Sequence, residues 1–220
     1  MARLAAAFED GDDRLSQASA VLRAQPDLEE LGFYEVDDPA DLPLGAADRR
    51  LLATYEQVCR DPLEETVRCD RCGALTALPL TTTSVGPHRW VSVRTDAAGG
   101  LREPTYADLL ASGNDPGLLR RRCRLGGAEG ETGADPLADL DGVEQSLAGP
   151  LRSQCVECGA PVVVDTDVVD LVLAGLAVVC AEFDRDVHLL ASSYGWDLMT
   201  IEALPDRRRQ RLAALAEGIA

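Results

Sequence analysis

Hydrophobic positions along the chain change their period several times, and each change marks an element. In "GAADRRLLATYEQVC", Leu51, Leu52, Tyr55 and Val58 recur at helical spacing with Asp48 in the first turn, which predicts a helix over 45–59. Residues 2–24 also read as helical, although polar, and residues 26–36 form a short acidic segment. Together these make 1–66 an N-terminal helical region. A much longer periodic stretch comes late. From Thr166 to Ser193 we expect one helix, in which Val168, Leu171, Val172, Ala174, Gly175, Val178 and Val179 leave it apolar nearly all round at its start. Such a helix is buried or wedged between partners. Gly195 in "SYGWD" suits a left-handed stop. Two short helices follow, the second opened by Pro205 and closed before Gly218. Residues 167–220 are thus a C-terminal helical region.

Alternation replaces helical spacing in the middle of the chain. "PVVVD" is a β-branched run and predicts a strand. "PHRWVSVRT" alternates around Trp90 and Val91 and predicts another, with "DAAGG" as turn and "LRE" as return. Thr105 is placed to cap a short helix containing Tyr106, Leu109 and Leu110, and Asp115 with Pro116 to start a second. Residues 126–136 are glycine-rich and acidic, the composition of a flexible loop. "LADLDGVEQSLAG" reads as a short helix pair or turn. The span 81–150 is therefore a small α/β insertion.

The insertion separates two copies of one motif. "CDRCG" at 69–73 and "CVECG" at 155–159 each precede a strand. In a zinc knuckle the turn aims two thiolates at one ion, backbone N–H groups donate to sulfur, and the glycine takes the positive φ that the turn needs. Cys69, Cys72, Cys155 and Cys158 would complete a closed tetrahedral set for structural Zn2+. A redox dithiol and unliganded thiols are the other readings. A redox CxxC is expected singly at a helix N-terminus, and neither pair here opens a helix. Between Cys72 and Cys155 lie 155 − 72 − 1 = 82 residues, against roughly 15–20 in compact ribbons. Closing such a loop costs roughly 4 kcal/mol, and structural zinc supplies on the order of 10 kcal/mol. The expected fold is α+β: a discontinuous zinc ribbon from 67–80 and 151–166, helices before and after it, and the insertion between its knuckles.

Charge narrows the function. The net formal charge of −17 disfavours general binding to nucleic acid. All 21 basic residues are arginine, Asn114 is the sole asparagine, and Ile201 and Ile219 are the sole isoleucines. That bias fits a GC-rich bacterial or phage genome, and AT-rich coding DNA would refute it. The N-terminus turns acidic too soon for a signal peptide, and Val168 to Phe183 is short for a membrane span and carries Asp170 and Glu182. We expect a cytoplasmic protein, where disulfides are disfavoured. Cys59, Cys123 and Cys180 then read as small buried hydrophobes. His88 has no ligand role once four thiolates complete the site, and His188 reads as a packing or capping residue. No nucleophile, base and orienter assemble, so no enzyme is expected. The runs Arg120–Arg122 with Arg124, and Arg207–Arg209 with Arg211, read first as solvated faces and second as contacts for an acidic partner. Tyr194 and Trp196 either lock the last helices onto the long one or form a docking corner.

The stretch "DVHLLASSYGWDLMTIEALPDRRRQRLAALAEG" resembles the C-terminal signature of the T4-type baseplate protein family. The matching positions are Asp186, Val187, His188, Leu190, Ala191, Tyr194, Gly195, Trp196, Ile201, Ala203, Leu204, Arg207 and Arg208. "LPLGAADRRLLATYEQV" and "REPTYADLLA" are similar to two further family segments, although Arg and Asp are shuffled in the first. The knuckles bracket the middle region as in injection-system members, with Asp70 and Val156 where the family has proline. The resemblance covers roughly residues 40–220. It implies a non-enzymatic baseplate hub component, or a hub-assembly chaperone, of a contractile phage-tail-like injection particle. Its implied partners are baseplate, tube or spike proteins, with Tyr194, Trp196, Arg207 and Arg208 as candidate contacts. The alternative from another class is a zinc-ribbon regulatory or nucleic-acid-associated adaptor.

Overall fold

The computed structural model describes residues 1–9, 13–24, 37–59, 61–89, 92–95, 99–113, 115–126, 140 and 143–218. The acidic segment 26–36, the stretch 127–139, and Trp90 and Val91 of the expected strand lie outside the described residues. In chain order the elements are α1 (Ala2–Glu9), α2 (Arg14–Ala24), α3 (Leu44–Val58), β1 (Glu64–Arg68), β2 (Leu75–Pro79), α4 (Thr82–Val85), β3 (Ser92–Thr95), β4 (Gly99–Arg102), α5 (Tyr106–Ser112), α6 (Pro116–Arg122), β5 (Arg124–Leu125), β6 (Ala148–Gln154), β7 (Pro161–Asp167), α7 (Val168–Tyr194), α8 (Leu198–Glu202) and α9 (Asp206–Ala216). The protein is a mixture of helices and small antiparallel sheets.

Residues 2–24 form two helices and not one. Asp13 makes the restart, because its carboxylate accepts the N–H groups of Leu15 and Ser16 as a helix N-cap does. The pair is less polar in its packing than in its composition. Leu4, Ala7, Ala18, Val21 and Leu22 are buried, while Arg3 and Arg23 stay outside. They pack with Leu51 and Leu52 of α3 and with Val172 and Leu176 of α7 in one core. Each fully buried leucine there contributes about 2 kcal/mol. Arg14 of α2 pairs with Asp167 and Asp170 at the start of α7.

The long helix runs as expected, capped by Asp167, whose carboxylate accepts the Val169 and Asp170 N–H groups, and stopped by a left-handed Gly195. It is not buried all round. Val168, Val169, Val172, Leu173, Leu176 and Cys180 face the core, whereas Val178 is 59 % exposed. Its closest approach to α3 is at Gly175, where a methyl group would lie 2.3 Å from the Tyr55 ring. Only glycine permits that contact. The N-terminal helices and the first half of α7 thus share a single core.

Two hairpins, β1–β2 and β6–β7, project the cysteine turns. Neither β1 nor β6 is apparent in the hydrophobic pattern. β7 leads directly into α7, so the second knuckle, its strand and the long helix are continuous. Within 81–150 a three-stranded antiparallel sheet, ordered β3–β4–β5, packs beside a small cluster of Leu101, Cys123, Leu140 and Val143. Thr105 and Asp115 cap α5 and α6 as expected.

Candidate metal centre

Each hairpin ends in a cysteine turn, and the two turns repeat the same hydrogen bonds. The Cys69 N–H donates to Ala74 C=O and the Gly73 N–H to Cys69 C=O, both at 2.8 Å. The Cys155 N–H donates to Ala160 C=O at 2.8 Å and the Gly159 N–H to Cys155 C=O at 2.9 Å. Gly73 and Gly159 have φ of 75° and 67°. This left-handed backbone is the reason glycine follows both pairs.

The four sulfurs converge. Cys69 Sγ lies 3.7 Å from Cys158 Sγ, and Cys72 Sγ lies 3.6 Å from Cys155 Sγ. All four lie within 4.8 Å of one another. A tetrahedral ion with metal–sulfur bonds of about 2.3 Å holds its ligands about 3.8 Å apart. The donor set therefore fits such an ion and can hold it. These two pairs both run between knuckles, so a bound ion joins segments 82 residues apart.

Burial and hydrogen bonding set the protonation of the four thiols. Cys69 and Cys155 are buried, Cys158 is half-buried and Cys72 is exposed. Only Ala160 and Val162 join the buried cysteines in the adjoining core among the described residues. The Cys158 and Glu157 N–H groups favour the Cys155 thiolate and bring its pKa down to about 6. Thr76 assists from beneath, with a buried hydroxyl that finds no oxygen or nitrogen partner. The Ala74 N–H favours the Cys72 thiolate, yet the Cys158 and Cys155 sulfurs push Cys72 up to about 12. The Ala160 N–H favours the Cys158 thiolate, but burial together with the Cys69 and Cys155 sulfurs raises that thiol. Four crowded thiols resist full ionisation, and a cation among them removes the repulsion.

The remaining sequence candidates sit elsewhere. Tyr194 and Trp196 stack with ring centroids 5.1 Å apart and planes at 26°. Tyr194 is exposed, while Trp196 packs against Leu190 and Ile201. They occupy the opposite end of α7 from the knuckles, a helix of 27 residues and about 40 Å. Arg207 and Arg208 are exposed on α9. Arg209 corrects the solvated-face reading of that run. Only 5 % exposed, it lies 4.7 Å over the Phe183 ring and donates to Asp186 and Asp206 at 3.3 and 2.7 Å. His188 is exposed, which does not suit a packing role. Cys123 and Cys180 are buried as expected, and Cys59 is half-buried at the end of α3.

A polar cluster where α3 meets the insertion, the root cluster, is hidden in the sequence. Asp48, expected only to favour a helix start, is buried and accepts the Tyr106 hydroxyl at 2.7 Å and the Leu147 N–H at 2.8 Å. Burial pushes its pKa up to about 6 against these two donors. Glu103 is 1 % exposed. Its carboxylate accepts the Gly45 N–H at 2.8 Å and the Gln145 N–H at 3.0 Å, and the His88 Nε2 lies 2.7 Å from it. Lone carboxylates carry no spacing signal, so nothing in the pattern marks them.

No helix among the described residues is long and apolar enough to cross a membrane. Comparison with protein-family models, with curated proteins and with solved structures finds no match.

Proposed function

We propose that this protein is a non-enzymatic baseplate hub component, or hub-assembly chaperone, of a contractile phage-tail-like injection particle. One observation carries the reading: a stacked Tyr194–Trp196 corner stands at the end of a long helix that is rooted in a four-cysteine centre. In this reading Cys69, Cys72, Cys155 and Cys158 hold structural Zn2+ and the two hairpins form a discontinuous zinc ribbon. The ion supplies cross-linking only, since four thiolates leave no position for substrate. The helix is then a rigid arm, and the aromatic corner with Arg207 and Arg208 is its contact with a tube, spike or baseplate protein.

The test is the double substitution Tyr194→Ala with Trp196→Ala. It should abolish particle assembly while zinc content and thermal midpoint stay near those of the parent. Normal particles from the variant refute the reading. Mass spectrometry of purified particles then separates the two roles, because a chaperone is absent from the finished particle. Metal analysis of protein purified without chelator should find one equivalent of zinc, and less than half an equivalent sinks the zinc assignment.

A further inference from the structure

Charge is spread unevenly over this chain. The net formal charge is −17, yet residues 194–220 carry four acids and four arginines, which cancel. All of the excess negative charge lies elsewhere. Three of the four acids are also engaged within the protein. Asp197 accepts the Thr200 N–H at 2.8 Å at the start of α8. Asp206 holds Arg209 at 2.7 Å, and Glu217 pairs with Arg185. Arg209 is the buried arginine. Arg207, Arg208 and Arg211 are exposed, and among the described residues none of them has an ion pair. Asp197 and Glu202 keep exposed charges on the α8 side, so it is the outward face of α9 that is cationic on an acidic molecule.

Apolar surface accompanies it. Met199 is 81 % exposed, Leu198 52 % and Tyr194 43 %. Scattered exposed apolar residues are ordinary, but these fall within one turn and one short helix. Leu190, Ile201 and Ala213 fix that corner from behind. From this arrangement we infer that the corner docks onto an apolar depression rimmed by Asp and Glu carboxylates on a partner protein. The inference rests on reading the corner as a docking site, and it adds the chemistry of what is docked. Met199, Leu198 and the Tyr194 ring enter the depression. Arg207, Arg208 and Arg211 meet the carboxylates, for which the guanidinium fork is suited. The excess negative charge of the rest of the chain disfavours other orientations of the same partner.

The test incorporates the photo-cross-linker p-benzoylphenylalanine in place of Met199 in the cells that make the protein, and maps the cross-linked residue by mass spectrometry. The expected product is a cross-link to a protein surface carrying two or more Asp or Glu around an apolar patch. Combining Arg207→Glu, Arg208→Glu and Arg211→Glu should lower the yield tenfold or more. The matching triple Gln variant should fall between. Unchanged metal content and thermal midpoint establish that these variants fold. A cross-link to a neutral or basic surface, to nucleic acid or to a second copy of this chain overturns the inference. So does no cross-link, or a yield indifferent to charge reversal. The partner's identity bears separately on the proposed function. An acidic partner that is not a baseplate, tube or spike protein upholds this inference and sinks that reading.

Discussion

Two clusters in this protein are closed by different chemistry: the tip of the hairpins, where the cysteines meet, and the root cluster between α3 and the insertion. At the tip, four thiols that could hold a metal ion meet beside a small apolar cluster. At the root, Asp48 and Glu103 gather Gly45, His88, Tyr106, Gln145 and Leu147 with charges and donors the chain already owns. Both closures span long sequence separations. The tip is modular: each half is a complete turn by itself, and an ion held there would join two finished pieces. The root is mutual, because no member of it is satisfied until the others arrive. A ligand could therefore control the first, whereas folding itself controls the second.

Removing the metal should have the largest effect. Chelation, or Cys155→Ser, forfeits a contribution on the order of 10 kcal/mol. Hydrogen exchange should then accelerate across 64–79 and 148–162, while the core amides of α3 stay protected. Equal loss of protection in α3 would show that the two clusters form one cooperative unit, and the contrast would fail. Next comes Glu103→Ala, which strands the Gly45 and Gln145 N–H groups and removes one contact of His88. At about 1–3 kcal/mol for each stranded N–H, urea unfolding should show a loss of at least about 2 kcal/mol. A loss under about 1 kcal/mol would mean that water or a shifted backbone replaces the carboxylate, and that the root is not mutual.

Asp48 sharpens the comparison through pH. Its folded pKa of about 6 lies above the ordinary 3.8, so between these values the folded protein retains a proton that the unfolded chain releases. Its contribution to stability is greatest below pH ~4, falls by on the order of 2–3 kcal/mol as pH rises to ~6, and is flat above that. Asp48→Asn removes this slope. The amide can still accept from Leu147 and can donate to the Tyr106 oxygen. The difference between variant and parent, measured by urea unfolding at pH 4.5 and pH 7, should therefore change in favour of the variant as pH rises. A constant difference contradicts the buried, proton-holding carboxylate. The smallest effect is expected from Thr105→Ala. It removes one cap of α5 and should reduce stability by about 1 kcal/mol; no measurable loss would place this cap outside the mutual root.

The two clusters also differ in how far the sequence reveals them. A knuckle needs two cysteines at fixed spacing and a glycine of positive φ, so its chemistry is written within five consecutive residues. The Thr105 and Asp115 caps and the Gly195 stop are legible for the same local reason. Asp48 and Glu103 become special only when distant backbone donors reach them, and single carboxylates among 38 acidic residues give no hint of that. Arg209 was obscured by its neighbours: a run of arginines reads as solvated, and only the packing of α9 on Phe183 selects one of them for burial. The strands β1 and β6 were missed because their residues are polar or half-exposed, with Pro150 inside β6, and pairing rather than pattern defines them.

The separation of the knuckles also sets a schedule. At roughly 5–20 residues per second, the 82 residues between Cys72 and Cys155 take about 4 to 16 seconds to synthesise. Throughout that interval Cys69 and Cys72 can offer an ion only half of a coordination shell. The second pair is made immediately before the long helix and the aromatic corner. Completion of the four-thiol set and synthesis of the corner thus fall close together. The spacing of the two cysteine pairs therefore delays any four-thiolate closure until the second pair has been made.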